Sequence, residues 1–520
     1  MKLYLFLGIL FGQLAACTSP SSVNENVVKE DELPELSPWP GTVNYEIFVQ
    51  SFADSNGDGI GDLNGVTGKL DYLHDLGIKG IWLMPIHPSP SYHKYDVVDY
   101  RGIHSEYGTM DDFRNLLAEA HKRDIKVIID MVINHTGVDH PWFQEAKKSP
   151  DNEYRNYYVW AKKDSIAGQI AKKKTTLDSD NITQWHDVPD QEESYYGFFW
   201  GGMPDLNYDN PVVKQEIFDI CKWWLEEIGV DGFRLDAARH IFPDDRPEAN
   251  WQFWQEFRAE MEKVKPNVFL VGEVWTPAEE AAPYFKGLHA LFNFDLGYAI
   301  TNTVNRGTAG NLLQQHGEIQ EVYQQNQPDY IDATFLTNHD QNRILNELGG
   351  ELSKAKLAAA ILLTLPGTPF IYYGEEIGML GKKPDEYIRE PFLWNTQDED
   401  PIRTNWMSPT YTTNATVSSL AQQINDSSSL YNHYKSLINF RNQNKEIGMG
   451  RLVPVTGLPE NILAYYRIYQ EDSTLVIHNL GELEIKLDSV ANLPDYTQLV
   501  WGSQEINKNT IEPRHSLIVK

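Results

Sequence analysis

The sequence predicts an α/β fold, a closed (β/α)8 TIM barrel with a domain inserted after its third strand and an antiparallel β-sandwich domain at the C-terminus. From about residue 40, short apolar runs rich in Val, Ile, Leu and Phe alternate with helical patterns, which is typical of a parallel βα repeat. Four of these runs end in a carboxylate, at Asp130, Asp236, Glu273 and Asp340. Because a parallel barrel collects the carboxyl ends of its strands on one rim, we expect these side chains to converge there.

The barrel strands are predicted from eight apolar runs joined by helical connections. The runs cover residues 44–50, 80–86, 126–133, 230–236, 268–274, 290–296, 333–340 and 369–376. Between the first two runs, Leu63, Leu70 and Leu73 recur at helical spacing, and the helix is predicted to stop at Gly77. Residues 111–124 and 211–229 predict two further connecting helices.

One connection is too long for a simple loop. About seventy residues separate the third strand from the helix that begins near Pro211, and a structureless loop of that length is uncommon. Residues 136–208 are therefore predicted to form the inserted domain, with the aromatic run 195–200 as its core and a cleft wall as the alternative role of that run. The catalytic barrel would comprise residues 39–135 and 209–448. Short alternating runs separated by turn residues predict the C-terminal β-domain over residues 449–520.

The N-terminus has the features of an export signal. Lys2 precedes an apolar stretch that is well under the roughly 20 residues needed to span a bilayer, and small residues precede Cys17 as in a bacterial lipobox. Residues 1–16 are therefore predicted to be a lipoprotein signal peptide, with Cys17 as the lipidation site. Residues 17–38, rich in Ser, Pro, Asn and acids, are predicted to be a flexible tether. The protein would be lipid-anchored to a bacterial membrane, with the outer membrane favoured and its face left open.

Charge and cysteine content exclude several classes of partner. With 44 Lys and Arg against 74 Asp and Glu, the net charge of −30 would repel nucleic acid and anionic lipid, so contact with a membrane is expected through the lipid anchor only. The second cysteine, Cys221, lies in a helical apolar pattern and is expected to be a core residue rather than half of a disulfide.

Four short segments occur in a fixed order along the chain. They are DMVINH (130–135), GFRLDAARH (232–240), VGEVW (271–275) and FLTNHD (335–340). Together they resemble the conserved segments of the α-amylase family, glycoside hydrolase family 13. One such segment is weak evidence, but four in the correct order and in strand-like context identify the chain as a member of this family. With the lipobox, the chain resembles bacterial lipoprotein α-amylases of starch-utilisation systems.

The resemblance implies a set of catalytic and substrate-binding residues. Asp236 would be the nucleophile, Glu273 the general acid and base, and Asp340 a carboxylate that stabilises the transition state. Two carboxyl groups that flank the bond are what a retaining glycosidase requires. A cation at Arg234 would keep Asp236 ionised while Glu273 holds its proton. The expected substrate contacts are Tyr95, His93, His135, Arg234, His339, Arg239 and His240. The family often has Gly where this chain has Lys94.

A calcium site is predicted in the segment DSNGDGIGD, residues 54–62. Oxygen-bearing residues alternate there with Gly59 at the turn, an arrangement that wraps Ca²⁺ in EF-hand-like loops, and several family members bind calcium in this loop. The predicted ligands are Asp54, Asn56, Asp58, the carbonyl of Ile60, and Asp62. Position twelve is Gly65 rather than Glu, so the loop is not a true EF-hand, and a polar turn is the alternative. Asn134 matches a calcium ligand of other amylases, which leaves a second site open.

Three departures bear on specificity. Tyr92 stands where exo-acting relatives carry Asp, Ala237 follows the nucleophile, and Arg239-His240 resembles the Lys-His pair of α-amylases. These points favour endo-cleavage of α-1,4 bonds in starch and maltodextrin. The enzyme is separately expected to be a monomer. A neopullulanase- or cyclomaltodextrinase-like enzyme, or an α-glucosidase or transglycosylase, is the alternative. A non-catalytic glucan-binding lipoprotein is a further alternative, although non-catalytic relatives lose the carboxylates that this chain retains.

Overall fold

The computed structural model describes residues 41–170, 184–396, 400–503 and 509–520. The predicted signal peptide, the tether and Cys17 lie outside the described residues. In the described part, no helix combines the length and the apolar character needed to cross a membrane. The barrel, the inserted segment and the C-terminal sheet belong to one compact unit of the chain.

Eight parallel strands close into a barrel, which confirms the predicted fold class. The strands are β1 (Asn44–Ile47), β2 (Gly80–Leu83), β3 (Lys126–Met131), β4 (Gly232–Leu235), β5 (Phe269–Gly272), β6 (Ala290–Phe292), β7 (Ile331–Thr334) and β8 (Thr368–Tyr372). Each strand pairs with the strands before and after it in the sequence, and β8 pairs with β1. Every connection therefore brings consecutive strand ends to the same rim.

The strands are shorter than the apolar runs predicted, because helices begin inside several runs. The run 290–296 ends as a strand at Phe292, and Asn293 then caps the helix Phe294–Arg306 by accepting the N–H of Leu296. The single helix predicted between β1 and β2 is two helices, Leu63–Thr67 and Leu70–Leu76, separated at Gly68. The second ends at Gly77, as predicted, in the left-handed conformation with φ of 96°.

Helices cover the outside of the barrel, and aromatic side chains fill its interior. The longer helices are Met110–Lys122, Pro211–Trp223, Pro247–Val264, Phe294–Arg306, Leu312–Asn326, Leu352–Thr364 and Leu430–Gln443. The shorter helices are Val49–Phe52, Pro141–Ala146, Lys163–Ile170, Ala278–Ala281, Ile344–Glu347, Asp385–Ile388, Leu420–Ile424 and Lys445–Met449. Inside the barrel, Trp82, Phe269, Phe292 and Phe370 pack in one buried cluster. The interior is thus a packed core, and the open space lies at the rim.

The segment between β3 and β4 forms a small three-stranded antiparallel sheet. Its strands are Trp160–Lys162, Glu193–Tyr196 and Trp185–Asp187, with Glu193–Tyr196 in the middle. Tyr195 is buried and packs edge-on against Phe143 at a centroid distance of 4.9 Å, as expected for the core of this segment. The later residues of the aromatic run 195–200 do not enter this core and instead approach the barrel rim.

The C-terminal region is an antiparallel sheet, as predicted. Five strands lie in the order Arg451–Pro454, Ile462–Tyr469, Asp472–Asn479, Ser516–Val519, Leu499–Gly502, and a two-stranded sheet joins Ile485–Lys486 to Thr510–Ile511. Arg467 is fully buried and donates to the carbonyls of Gly450 and Thr364, which ties the sheet to a barrel helix. Cys221 is buried and free, as expected, and burial raises the pKa of its thiol.

Candidate active site

The predicted nucleophile and acid follow two neighbouring strands. Asp236 comes directly after β4 and Glu273 directly after β5, and the final residues of these strands, Leu235 and Gly272, are partners in the sheet. Ala237 turns the chain with φ of 46°, in the left-handed region, and its N–H donates to Glu273 Oε2 over 3.1 Å. Strand register therefore places the two carboxylates side by side at the rim.

Arg234 holds the carboxylates of this half of the site together. Its Nη1 donates to both oxygens of Asp130, at 2.9 and 3.0 Å, and to Asp236 Oδ1 at 2.6 Å. Its Nη2 lies 2.9 Å from Glu273 Oε2. The guanidinium also lies 5.0 Å above the ring of Trp82, and the side chain is only 1% exposed. Arg234 therefore lies beside Asp236, as predicted for the cation that keeps this carboxylate ionised, and its contact with substrate stays a prediction.

Glu273 has the protonation behaviour of a general acid. Burial and, less strongly, the nearby charges of Asp236 and Asp340 raise the pKa of its carboxyl against the opposing effect of Arg234, and the net result is a shift from 4.5 to about 7. A carboxyl with a pKa close to neutrality can donate a proton at physiological pH and take it back in a later step. Both carboxylates contact Arg234, Asp236 through Oδ1 at 2.6 Å and Glu273 through Oε2 at 2.9 Å, and Glu273 also accepts the N–H of Ala237.

Asp340 is held by a different part of the chain. It lies six residues beyond Thr334, the last residue of β7, so the strand alone does not fix its position. Arg389 Nη2 donates to Asp340 Oδ1 at 2.9 Å, and His339 Nε2 lies 3.2 Å from Asp340 Oδ2. Arg389 Nε also donates to the carbonyl of His339 at 3.0 Å. Sequence patterns do not single out Arg389, because it lies in an irregular connection after β8 with no local motif.

His339 links this third carboxylate to the barrel interior. Its Nδ1 lies 2.5 Å from Glu46 Oε1 and its Nε2 lies 2.6 Å from Tyr95 Oη. Burial lowers the pKa of His339 and raises the pKa of Glu46, so it disfavours the charged form of each side chain. Glu46 was missed by sequence reasoning, although an acidic residue inside an otherwise apolar strand is a signal that could have found it.

Tyr95 lies at the centre of the predicted sugar contacts. Its hydroxyl donates to Asp130 Oδ2 at 3.1 Å, and its ring stacks on His339 with a centroid distance of 5.6 Å. His93 accepts the N–H of Tyr95 at its Nδ1 over 3.2 Å, and His135 Nε2 lies 3.2 Å from the carbonyl of Tyr95. His135 is buried, and its other ring nitrogen contacts Asn134. In this structure both histidines support the backbone that carries the tyrosine.

The remaining predicted contacts, Arg239 and His240, lie to the side of the carboxylates. Arg239 Nη2 donates to Asp244 Oδ1 at 3.2 Å. The ring of His240 stacks on Phe198 at a centroid distance of 4.0 Å, and burial lowers the pKa of this histidine to about 4. His240 is therefore neutral at physiological pH. Their contact with substrate stays a prediction.

The inserted segment forms a wall beside these residues. Phe199 packs edge-on against His135 at 5.3 Å, and the N–H of Phe198 donates to Asp205 Oδ1 at 3.0 Å. Asn134, which matches a calcium ligand of other amylases, donates its amide to the carbonyl of His240 at 2.5 Å. The N–H of Leu206 donates to the carbonyl of Asn134 over 3.0 Å, and this hydrogen bond joins the inserted segment to the barrel.

The predicted calcium loop is closed by hydrogen bonds to its own backbone. Asp54 accepts the N–H groups of Asn56, Gly57 and Gly59, and Asp62 accepts those of Ser55 and Gly65. Asp58 accepts the N–H of Ile60 at 2.8 Å. All the predicted donors are oxygen atoms, which fits the chemistry of Ca²⁺, and a carboxylate keeps further lone pairs after two or three such bonds. In the described residues, however, no three Asp, Glu, His or Cys side chains are gathered closely enough to hold a metal.

Comparisons with known proteins identify the family of the chain. A family model described as the alpha amylase catalytic domain matches residues 46–450. The chain belongs to the α-amylase family. It is 43% identical over 486 residues to alpha-amylase 3 of Dictyoglomus thermophilum, covering 93% of this chain and 94% of that protein. The crystal structure of an alpha-amylase from H. orenii superposes with a TM-score of 0.83 at 45% identity, covering 92% of this chain and 98% of that one.

Related enzymes of the α-amylase family carry other names. A 4-alpha-glucanotransferase of Thermotoga neapolitana is 36% identical over 467 residues, covering 88% of this chain and 100% of that protein. Family membership therefore gives the coarse activity: the chain is a glycoside hydrolase that acts on α-glucans. The cleavage pattern and the bond specificity need further support.

Proposed function

We propose that this α-amylase-family enzyme is a retaining endo-hydrolase of α-1,4-glucosidic bonds in starch and maltodextrin. The observation that carries the proposal is the pair of contacts from one guanidinium, in which Arg234 binds Asp236 at 2.6 Å and Glu273 at 2.9 Å. Carboxyl groups that share one guanidinium lie close together. Retaining glycosidases separate theirs by about 5–5.5 Å, whereas inverting enzymes need about 6.5–9.5 Å to admit a water molecule.

The reaction proceeds in two steps. Glu273 donates its proton to the glycosidic oxygen while Asp236 attacks the anomeric carbon, so the C–O bond breaks, the leaving chain departs as an alcohol and a covalent glucosyl-enzyme forms. Glu273, now ionised, takes a proton from water as the water attacks the same carbon and releases Asp236. Asp340, fixed by Arg389, binds sugar hydroxyls as the ring flattens, and Tyr95 stacks beneath the ring.

Endo-cleavage is supported by the surroundings of Tyr92. Its hydroxyl accepts a hydrogen bond from Arg389 Nη1 at 3.3 Å, and its ring stacks on Trp406 at 5.4 Å. Exo-acting relatives carry Asp at this position, where the carboxylate closes the site on a terminal sugar. Tyr92 supplies an aromatic surface there instead. A glucan chain can therefore continue past the reacting unit.

Transglycosylation is a second candidate, supported by Trp275. This side chain lies two residues after Glu273, is 42% exposed and stacks on Phe294 at a centroid distance of 4.3 Å. A rigid, exposed aromatic face near the acid suits a sugar acceptor that competes with water for the intermediate. The 4-alpha-glucanotransferase among the relatives is consistent with such a branch.

A product time course separates these activities. Wild type and Asp236→Asn would be incubated with soluble starch, pullulan and maltotriose. We expect rapid loss of iodine staining with mixed maltooligosaccharides of retained anomeric configuration, and no turnover by Asp236→Asn. Three other product patterns would contradict the endo-hydrolase. Glucose released singly would indicate an α-glucosidase, panose from pullulan a neopullulanase, and products longer than the substrate a transferase.

We also propose that residues 54–62 bind Ca²⁺ as a structural ion, with Asp54, Asn56, Asp58, the Ile60 carbonyl and Asp62 as ligands. The ion would stabilise the rim and takes no part in the bond-breaking steps. Calorimetric binding of Ca²⁺ to EDTA-treated enzyme, with a rise in Tm that Asp58→Ala abolishes, would support this. Equal Tm values with Ca²⁺ and with EDTA would contradict the calcium site and favour the alternative, a polar turn.

Anchoring and oligomeric state are proposed from the sequence alone. We infer that Cys17 carries lipid after removal of residues 1–16 and holds a monomeric enzyme at a bacterial membrane, with the outer membrane favoured. Fractionation of cells that express the full chain or Cys17→Ala tests the anchor. We expect the full chain in the membrane fraction and the variant in the soluble fraction. Light scattering of purified enzyme tests the monomer.

A further inference from the structure

Arg343 is a buried cation close to the third carboxylate in the chain. It lies three residues beyond Asp340 and is only 2% exposed. Its side chain reaches the end of β8, where Nη1 donates to the carbonyl of Tyr373 over 2.7 Å. The guanidinium carbon lies 4.5 and 4.7 Å from the ring centroids of Tyr372 and Tyr373. Because a buried charge is costly unless its surroundings compensate it, the carbonyl and the two rings give this cation a defined place.

The same side chain also reaches the segment that carries Arg389. Its Nε donates to the carbonyl of Ile388, the residue before Arg389, over 3.0 Å. The hydroxyl of Tyr372, the last residue of β8, donates to the same carbonyl over 3.1 Å. One donor comes from the segment of Asp340 and the other from the barrel strand, so the peptide bond that precedes Arg389 is fixed from two sides.

Backbone contacts hold these two segments together as well. The N–H of Arg343 donates to the carbonyl of Gly381 over 2.9 Å, and the N–H of Lys383 donates to Asn342 Oδ1 over 2.8 Å. Arg343 is therefore the residue at which three parts of the chain meet: the segment after Asp340, the long connection after β8, and the end of β8 itself.

The two segments joined by Arg343 act on one carboxylate. Arg389 Nη2 donates to Asp340 Oδ1 over 2.9 Å, although 49 residues separate the two in sequence. The distance between these side chains therefore depends on how their segments are held. A side chain that touches reacting groups is placed accurately only where a supporting shell fixes it. Arg343 supplies such support, because it ties both segments to the barrel strand.

The shape of arginine suits this task. Its planar fork reaches two carbonyls in different directions, whereas lysine carries one compact ammonium group. The fork is not saturated, because the buried Nη2 has no hydrogen-bond partner in the described part of the chain. An unpartnered buried donor is destabilising. The contacts of Arg343 thus set the distance between backbone segments at some cost in stability.

We propose that Arg343 is a positioning residue for Asp340. By binding the carbonyls of Tyr373 and Ile388, it fixes the segments of Asp340 and Arg389 to the end of β8 and so sets the place at which Asp340 meets the sugar. Arg343 is buried, and it acts through Asp340 and Arg389 rather than by contact with substrate. The proposal rests on the role of Asp340 in the hydrolase function given above.

The first test is Arg343→Lys, which keeps the charge and loses the fork. Small misplacements of positioning groups cost up to about 10²-fold in rate, so we expect kcat on maltoheptaose to fall about tenfold. KM should stay within about twofold of wild type, because the proposed contact of Asp340 strengthens in the transition state. In a folded variant, a kcat within about twofold of wild type would overturn the proposal.

A double substitution distinguishes positioning from a general loss of stability. If Arg343 acts through the contact of Arg389 with Asp340, Arg343→Lys has little left to disturb once Arg389→Lys has broken that contact. We expect it to lower kcat by less than about twofold in the Arg389→Lys background, against about tenfold in wild type. Independent effects multiply, so a double variant whose loss equals the product of the two single losses would count against the positioning role.

Arg441 offers a matched control near the opposite end of β8. It is 1% exposed, and its Nη1 donates to the carbonyls of Leu363 and Leu365 over 2.8 and 3.0 Å. Its Nε, like Arg343 Nη2, has no partner among the described residues. We expect Tm to fall in both lysine variants, and kcat to stay within about twofold of wild type in Arg441→Lys alone. A loss of kcat in Arg441→Lys as large as that in Arg343→Lys would overturn the specific assignment.

A second variant serves if Arg343→Lys does not fold. Tyr372→Phe keeps the ring beside the guanidinium and removes only the hydroxyl that binds the Ile388 carbonyl. We expect kcat to fall about two- to threefold, the value of one net hydrogen bond, and to show no further fall in the Arg389→Lys background. In that case an unchanged kcat in Tyr372→Phe would reject the positioning of Arg389 through this carbonyl.

A binding measurement separates this proposal from the proposed function. Acarbose, whose flattened ring imitates the oxocarbenium-like transition state, and maltoheptaose would each be titrated calorimetrically into Asp236→Asn with and without Arg343→Lys. We expect the affinity for acarbose to fall about tenfold and that for maltoheptaose to stay within about twofold. Equal changes in the two affinities, including none, would overturn the positioning role. Absence of turnover by wild type would overturn the hydrolase instead.

Discussion

The two halves of the active site are built in different ways. Asp236 and Glu273 leave adjacent strands in register, and Arg234, two residues before Asp236 on the same strand, binds both. Asp340 lies beyond the end of its strand and is held by Arg389, 49 residues further along the chain. In the first half, the same local geometry places one carboxylate directly after each of two adjacent strands. The second half depends on a long connection folding back over the rim.

Because the two halves are built differently, substitutions in them are expected to change different kinetic quantities. In the proposed reaction, the groups around Arg234 include the atoms that break the bond, so displacing them would affect the chemical step. In the same proposal, the groups around Arg389 orient Asp340, the carboxylate that would stabilise the transition state, and Arg389 also contacts Tyr92. Substitution in the first half should therefore change kcat and its pH dependence, whereas substitution in the second half should change kcat and chain-length preference without moving the pH limb.

The largest effect is expected from Arg234→Lys. A lysine keeps one charge but cannot bind three carboxylates through a planar fork, so the spacing of Asp236 and Glu273 is lost. We expect kcat to fall about 10²- to 10³-fold, as when one preorganised donor is removed from a transition-state site. Because Arg234 lowers the pKa of Glu273, the alkaline limb of kcat/KM should also move to higher pH. Steady-state kinetics across pH on folded variant measures both, and an unchanged kcat would contradict the role of Arg234.

Arg389→Lys is the matched change in the other half. Loss of the bond to Asp340 would let this carboxylate shift, and small misplacements of positioning groups cost up to about 10²-fold in rate. We expect kcat to fall about 10- to 100-fold with the alkaline limb in its wild-type place. If the alkaline limb of the pH profile moved as far in Arg389→Lys as in Arg234→Lys, the two halves would not differ in their effect on the pKa of the acid.

The pH profile of wild type tests Glu273 directly. Its carboxyl must be protonated in the bond-breaking step, and burial holds its pKa at about 7 instead of 4.5, so the active form persists to neutrality and is lost above it. We expect kcat/KM on maltoheptaose to fall about tenfold per pH unit above pH 7. A glucosyl fluoride, whose leaving group needs no proton, should show little of this fall. Equal alkaline limbs on both substrates would exclude Glu273 as the acid.

The smallest effect is expected from Glu46→Gln. The amide keeps an acceptor within reach of His339 Nδ1 but removes the buried carboxyl group. We expect kcat to fall about two- to threefold, the low end of the net value of one hydrogen bond, with no change of the alkaline limb. A loss as large as that of Arg389→Lys would mean that Glu46 acts on Asp340 through His339 more strongly than its distance from the reaction indicates.

The sequence by itself determined the fold class and the residues near strand ends. Eight apolar runs separated by helical patterns specify a closed parallel barrel because strand and helix periods differ and each βα unit covers its neighbour. Carboxylates at the ends of such runs must gather on one rim, which is why Asp236 and Glu273 could be found from their local segments. The strand ends themselves were placed too late, because caps such as Asn293 start helices inside apolar runs.

Only the tertiary structure decided which side chains complete the site. Glu46 and Arg389 reach His339 and Asp340 from the first strand and from a long connection, and no local pattern records contacts between residues so far apart in sequence. The tertiary structure also added Asp130 and Glu273 to the contacts of Arg234. Local periodicity is fixed by backbone geometry, whereas hydrogen-bond partners across the rim are fixed by how separate loops pack against one another.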